Sequence, residues 1–257
     1  MITHKVYYFS GTGNSLAAAR HVAAALGTTD VVSIADCVCR EEYAIDADTL
    51  VFVYPVYAYH APLMVRKFLK KAQISARYTA VLITCGTKCG GAFAEAKKLL
   101  KKKGGLSYAQ AVPAVENFTP LFGGQKPKRV EKRLRLQAAA TDGATAAIAA
   151  RRTHRVRSFR PLSAFVATLF AAFHTAFPRF LFRVNKKTCT GCGLCAKICP
   201  AAAVTLENGR PHFSSRCQCC MGCLHLCPQN ALTCLRHTRK SPRYRHPAVQ
   251  PQELVRR

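Results

Sequence analysis

Along the first half of the chain, short apolar runs alternate with segments of helical period. Residues 4–9 (HKVYYF) are an apolar run bounded by turn residues and read as a buried strand. The loop SGTGNS follows at 10–15, then the Ala-rich, helix-prone stretch 16–26, closed by Gly27 as a C-cap. VVSI (31–34) reads as a second strand, and residues 50–62 as a third that runs into an aromatic loop. Residues 63–71 are an amphipathic helix, TAVLITCG (79–86) a fourth strand, 91–103 a helix closed by Gly104-Gly105, and 107–112 a fifth strand. Alternating strand–helix units with apolar strands predict an α/β domain, a doubly wound parallel sheet with helices on both faces. Residues 115–125 read as loop. From Pro127 to about Arg160 the chain is Ala-, Lys- and Arg-rich, with Gly143 as a break between two helices. Residues 203–213 read as a hairpin turning at Asn208-Gly209.

A strand, a Gly/Ser/Thr loop and a helix make an anion site, because helix N-terminal N–H groups and small hydroxyls converge there. The Walker loop is excluded, since no lysine stands at its place. The dinucleotide fingerprint fits at Gly11 and Gly13 but has Leu16 where the third glycine belongs. SGTGNS, with Ser10, Gly11, Thr12, Gly13, Asn14 and Ser15, instead resembles the loop that flavodoxins wrap around the terminal phosphate of FMN. The resemblance covers about residues 1–125. It implies sheet order 2-1-3-4-5 with ligand outside the strands' carboxyl ends. It also implies that the loops after strands 3 and 4 flank the isoalloxazine ring. That makes Pro55, Val56, Tyr57 and Gly86 candidate flavin contacts, with Tyr59 a second stacking candidate and Gly90 and Gly91 suited to close approach. Packing at a strand end is the competing reading of the tyrosines. Cys85 and Cys89 suggest redox-active thiols, but Cys85 reads rather as a buried small residue, and neither has an evident resolving geometry.

The second half is dominated by cysteine. Cys189, Cys192, Cys195 and Cys199 form a C-x2-C-x2-C-x3-C-P run; Cys217, Cys220, Cys223 and Cys227 repeat it, displaced by 28 residues, with Pro200 and Pro228 at equivalent places. Three thiolates on a tight loop can hold three corners of a cubane, while the fourth reaches the other cluster. Cluster I is therefore assigned Cys189, Cys192, Cys195 and Cys227, and cluster II Cys217, Cys220, Cys223 and Cys199. Structural zinc favours separated C-x2-C pairs or His partners, and disulfide scaffolds are short secreted chains. At about residues 184–236 the chain resembles bacterial two-[4Fe-4S] ferredoxins, a small α+β domain. Cys219, inside the second run but out of register, reads as a bystander.

The chain of 257 residues is 49% hydrophobic with 14 cysteines and a formal charge of +27. Two cubanes and one flavin phosphate, each about −2, leave about +21. Such a surface points to an acidic redox protein or an anionic membrane surface as partner. No nucleic-acid module accompanies the basic run 151–160, so nucleic acid is not the expected partner. The apolar segment 161–182 carries Phe165, Leu169, Phe173 and Phe177 at four-residue intervals but is interrupted by His174, Pro178 and Arg179. Inter-domain packing, interfacial membrane contact and a span are its readings, in that order. The N-terminus enters a strand with no apolar signal core, and the thiols suit a reducing compartment, so a cytoplasmic location is expected, with membrane association left open.

The expected organisation is a flavodoxin-like FMN domain (1–125), a basic and apolar helical connector (126–183) whose start can complete that domain, a two-[4Fe-4S] ferredoxin domain (184–236) and a loose basic tail (237–257). This order resembles a bacterial and archaeal family of flavodoxin–ferredoxin fusions, which the YRHP motif at 244–247 also resembles. It implies an electron carrier passing electrons between FMN, two [4Fe-4S] clusters and a partner protein. Two other classes stay open: a flavin-dependent reductase of a quinone-like molecule, and a redox-sensing module on nucleic acid or membrane.

Overall fold

The computed structural model describes residues 3–154 and 181–256. Strands β1 (His4–Tyr8), β2 (Val31–Ser33), β3 (Ala44–Pro55), β4 (Gln73–Cys85) and β5 (Tyr108–Pro113) form one parallel sheet in the order β2-β1-β3-β4-β5. This is the order expected from the sequence. The pleat sends alternate residues to opposite faces. Tyr7, Phe52, Tyr54 and Ile83 pack on one face with Val65, Phe68 and Leu69 of helix α3 (Leu63–Lys71) and Ala96 and Leu100 of α4 (Ala92–Leu100). Val6, Val51, Val53 and Leu82 pack on the other with Ala19 and Val22 of α1 (Asn14–Ala25). Fully burying one such side chain is worth about 1.5–3 kcal/mol, and these two layers hold the strand ends in place.

Several elements differ from the sequence reading. β3 and β4 begin about six residues earlier, paired from Ala44↔Gln73 to Pro55↔Thr84. Their first halves alternate exposed or half-buried positions with buried ones in β3, and exposed with half-buried ones in β4. They carry Asp46, Asp48 and Arg77, a polar pattern that hides a strand at the sheet's end. Residues 34–40 are a helix, α2 (Ile34–Arg40), started by Ser33, whose Oγ accepts from Asp36 N–H at 3.2 Å. A short helix α5 (Thr119–Phe122) interrupts the expected loop. Gly143 does not divide the next segment: α6 (Pro127–Ala149) is one helix. A mid-helix glycine costs about 1 kcal/mol relative to alanine, and packing of Ala144 and Ile148 against the sheet offsets it. α6 lies on α1 and β5, completing the second face. Its Lys128, Arg129, Lys132 and Arg135 are exposed.

The second domain contains β6 (Phe182–Val184) antiparallel to β9 (Leu232–Cys234), and a hairpin of β7 (Val204–Glu207) and β8 (Arg210–Phe213). Asn208 and Gly209 turn it with φ of 48° and 71°, as a two-residue hairpin turn requires. The short helices α7 (Leu194–Lys197) and α8 (Gly222–Leu226) follow the cysteine loops. The duplication extends to the backbone. Gly191 and Cys219, Gly193 and Met221, and Ala202 and Asn230 are equivalent by the 28-residue offset, and all six have positive φ. Cys219 therefore stands where the first run uses a glycine.

The tail is not a loose arm. Tyr244 and Val249 are buried, and residues 251–254 form a 3-10 turn with a capping box. Its Pro/Arg-rich sequence gives no local drive to order; contacts with both domains supply it. Residues 155–180, with most of the basic run and the apolar segment, lie outside the described residues. Among the described residues no helix is long and apolar enough to cross a membrane.

Candidate functional site

Four loops meet at the carboxyl edge of the sheet, the position where open α/β sheets bind ligands. They enclose a cavity of about 390 Å³, within the usual range for a cofactor-sized ligand. Ser10, Gly11, Thr12, Asn14 and Ser15 supply one wall; Pro55, Val56, Tyr57 and Tyr59 a second; Thr84, Cys85 and Gly86 a third. The fourth loop, Ala114 to Phe118 with Leu121 and Phe122, was not singled out in the sequence, where it lacks any motif. Gly90 and Gly91 are not on the wall. Gly90 instead makes room for Tyr59, whose Cβ lies 2.5 Å from where a Cβ on residue 90 would be. Gly13 is also off the wall. It takes φ 99° as the N-cap of α1, a conformation few other residues adopt.

The loop's donors can be assigned one by one. α1 has neither a capping side chain nor an acidic residue in its first turn, so its leading N–H groups suit an anion. Thr12 Oγ1 accepts from Asn117 Nδ2 at 2.8 Å, leaving its own hydrogen free to donate. Ser15 Oγ shares a 2.8 Å hydrogen bond with Thr84 Oγ1. The Asn14 side chain is committed elsewhere: its Nδ2 donates to Val115 O at 3.1 Å and its Oδ1 accepts from Tyr244 Oη at 2.6 Å. Asn14 can therefore serve a phosphate through its backbone only. Gly86 gives close approach to the Glu116 carboxylate.

The cysteines fall into two groups. Cys189, Cys192, Cys195 and Cys227 line one small cavity, and Cys199, Cys217, Cys220 and Cys223 line another. Each group takes three cysteines from one run and the fourth from the other. Among the described residues no three His, Cys, Asp or Glu side chains converge on one ion, whereas a cubane takes each thiolate at a separate iron. The two crossed sets of four thiols fit two such cubanes.

The second domain docks on the first at the flavin-type cavity. A Cβ on Gly11 would stand 2.6 Å from Cys220 O, and one on Gly222 2.7 Å from Gly11 O. Cys219, outside both ligand groups, is on the cavity wall. Burial pushes the Tyr57 hydroxyl well above its ordinary value, with Cys220 and Cys219 adding to the effect. The Met64 N–H donates to Gln218 Oε1 at 3.1 Å. The tail then straps the two together. Arg243 donates to Leu232 O at 2.8 Å, His246 N–H to Thr12 O at 2.9 Å, and Arg20 pairs with Glu253 at 2.6 Å. His246 and Val249 lie against Gly13.

His225 is the buried node of this interface. Its Nε2 donates to Asn117 O at 2.8 Å and its Nδ1 accepts from Tyr244 N–H at 3.1 Å, which selects the neutral Nε2–H tautomer. Burial lowers its pKa from 6.5 to about 4, with Arg243 acting the same way against the Asn117 hydrogen bond. Above pH 6.5 the ring is neutral folded or unfolded, so the stability is fully present there. Below it only the unfolded chain takes up the proton, and stability falls toward pH 4. The expected loss is about 3 kcal/mol across that window. Denaturant midpoints between pH 7 and pH 5 should fall more steeply for the native chain than for His225→Gln; equal slopes would contradict the assignment.

Residues 5–131 match the family described as a flavodoxin domain, and residues 182–205 match a 4Fe-4S binding domain. The chain joins a flavodoxin-like domain at its N-terminus to a 4Fe-4S domain toward its C-terminus. The first domain implies FMN and the second iron–sulfur cluster chemistry, so its role is redox electron transfer. Among solved structures it is similar to a flavodoxin from the domain Archaea, 16% identical over 55% of this chain and 96% of that one, with a TM-score of 0.34. A flavodoxin of Streptococcus pneumonia TIGR4 is 18% identical over 55% and 98%, with a TM-score of 0.34. An NAD(P)H:quinone oxidoreductase from Methanothermobacter marburgensis is 14% identical over 61% and 100%, with a TM-score of 0.32. No curated protein matches the chain.

Proposed function

We propose that the chain is an electron carrier linking one FMN to two [4Fe-4S] clusters and, through them, to a partner protein with an acidic docking surface. The observation that supports this most is the shared wall. Cys219 borders the cavity while Cys220, a candidate ligand of cluster II, presses on Gly11 of the phosphate loop. FMN exchanges electrons in ones or twos and a cubane one at a time, so the pair can join two-electron and one-electron donors. The protein's part is to hold both at one seam and keep water from it. Ser10, Gly11, Thr12, Asn14 and Ser15 would hold the phosphate, and Pro55, Val56, Tyr57 and Gly86 the ring. The exposed cations of α6 supply a surface complementary to an acidic partner.

The test is anaerobic reconstitution followed by rapid reduction of the clusters. Iron and sulfide should each approach about eight per chain, by about four per cube, with one FMN. Flavin absorbance should then bleach with a first-order rate independent of protein concentration. A rate that scales with concentration, or a flavin that stays oxidised beside reduced clusters, would exclude transfer within the chain.

A further inference from the structure

Cys85 and Cys89 belong to neither ligand group. Cys85 is the last residue of β4, and Cys89 follows the turn at Gly86, Thr87 and Lys88. The turn brings the two thiols together: Cys89 Sγ donates to Cys85 Sγ at 3.1 Å. The contact supplies a pairing geometry that is not evident in the sequence, and it arises because the chain folds back over Gly86, Thr87 and Lys88 before α4 begins. Both residues are buried, yet Cys85 is part of the cavity wall while Cys89 sits behind it. Cys85 therefore borders the space a ligand would fill, and Cys89 is in reach of its sulfur.

We propose that Cys85 and Cys89 form a redox-active dithiol–disulfide couple that exchanges two electrons with the isoalloxazine ring held in the cavity. The inference rests on the flavin reading given above. In the oxidising direction two S–H bonds break and one S–S bond forms. Two electrons and two protons pass to the oxidised ring; the reverse reaction returns them. Closing a 3.1 Å contact to a bond of about 2.05 Å asks for a movement of about 1 Å. The thiols are also unequal, as an attacking and a resolving partner should be. The hydrogen bond from Cys89 holds Cys85 below the ordinary thiol range, and Arg133 assists, against burial and Glu116. Cys89, the donor, is pushed up by that same bond and by burial. The couple gives the chain a store of two further electrons beside the flavin.

The experiment uses the full-length protein under anaerobic conditions. It is equilibrated in mixtures of reduced and oxidised dithiothreitol, quenched by alkylation, digested and weighed. The fragments carrying Cys85 and Cys89 should pass from doubly alkylated to cross-linked, with loss of two hydrogens, in one two-electron transition. FMN-loaded protein, oxidised beforehand, is then titrated with reductant. The native chain should take up two more electrons than Cys89→Ser, with the extra uptake matched by loss of the cross-link. No Cys85–Cys89 cross-link at any buffer ratio, or equal uptake by the two proteins, would overturn the couple. A flavin fluorescence titration of the same samples separates the two levels. If FMN binds and uptake is equal, the couple alone is wrong. If FMN does not bind, the flavin reading fails, and the exchange fails with it even where a cross-link forms.

Discussion

Gly222→Ala should loosen the docked domains while leaving each of them folded. Taken locally the change is favourable, since alanine is a better helix residue than glycine by about 1 kcal/mol, and residue 222 opens α8. The obstacle is tertiary. The added Cβ would stand 2.7 Å from the carbonyl oxygen of Gly11, which is backbone and cannot rotate aside. Overpacking of this kind costs about 1–3 kcal/mol, so the docked form should be disfavoured about fivefold to a hundredfold. Amide hydrogen exchange reads this directly. The His246 N–H, bonded to Thr12 O, and the Met64 N–H, bonded to Gln218, should lose protection by that factor. Amides inside the sheet should not. Intramolecular flavin bleaching should slow in parallel. Unchanged protection at both amides would mean that the interface is not held by this contact.

Thr12→Ala should weaken FMN binding by about tenfold to a hundredfold and leave riboflavin nearly unaffected. A hydrogen bond to a charged group is worth about 1.5–3 kcal/mol, which converts to that range in Kd. Thr12 is the sharpest choice because Asn117 Nδ2 already occupies its acceptor side and points its hydroxyl hydrogen away. Ser15→Ala should cost less, since that hydroxyl can be spent on Thr84. The Asn14 side chain gives a different signature: it ties Val115 to Tyr244, so Asn14→Ala should release the strap as well as weaken FMN. Fluorescence titrations with FMN and riboflavin distinguish the three. If riboflavin loses as much affinity as FMN in Thr12→Ala, the loop is not a phosphate site.

The pattern along the chain made the sheet legible where it was apolar and illegible where it was amphipathic. β1 and the core of β3 and β4 are continuous hydrophobic runs, buried on both faces, and such runs declare themselves. The opening halves of β3 and β4 carry Asp46, Asp48 and Arg77 between the apolar positions, and look like loop. α2 was overlooked although Ser33 and Asp36 mark its start, because the preceding valines drew Ile34 into a strand. Gly143 misled in the opposite way: a weak local preference was overridden by burial of Ala144 and Ile148.

What the chain's sequence determined by itself is whatever depends on neighbours a few residues away. The spacing of cysteines sets which thiols share a loop, and SGTGNS places glycines and hydroxyls at a helix start. The strand–helix alternation sets the doubly wound sheet. What only the tertiary structure decided is how distant segments meet. Cys219 reaches the cavity because the second cysteine loop sits on Gly11. The tail orders because Tyr244 finds Asn14, 230 residues away, and His225 finds Asn117. Cys85 and Cys89 touch because the turn over residues 86–88 at the end of β4 folds one back on the other. Such contacts arise from packing free energy spread over two domains, and no local pattern encodes a contact whose partners are chosen by the shape of the whole.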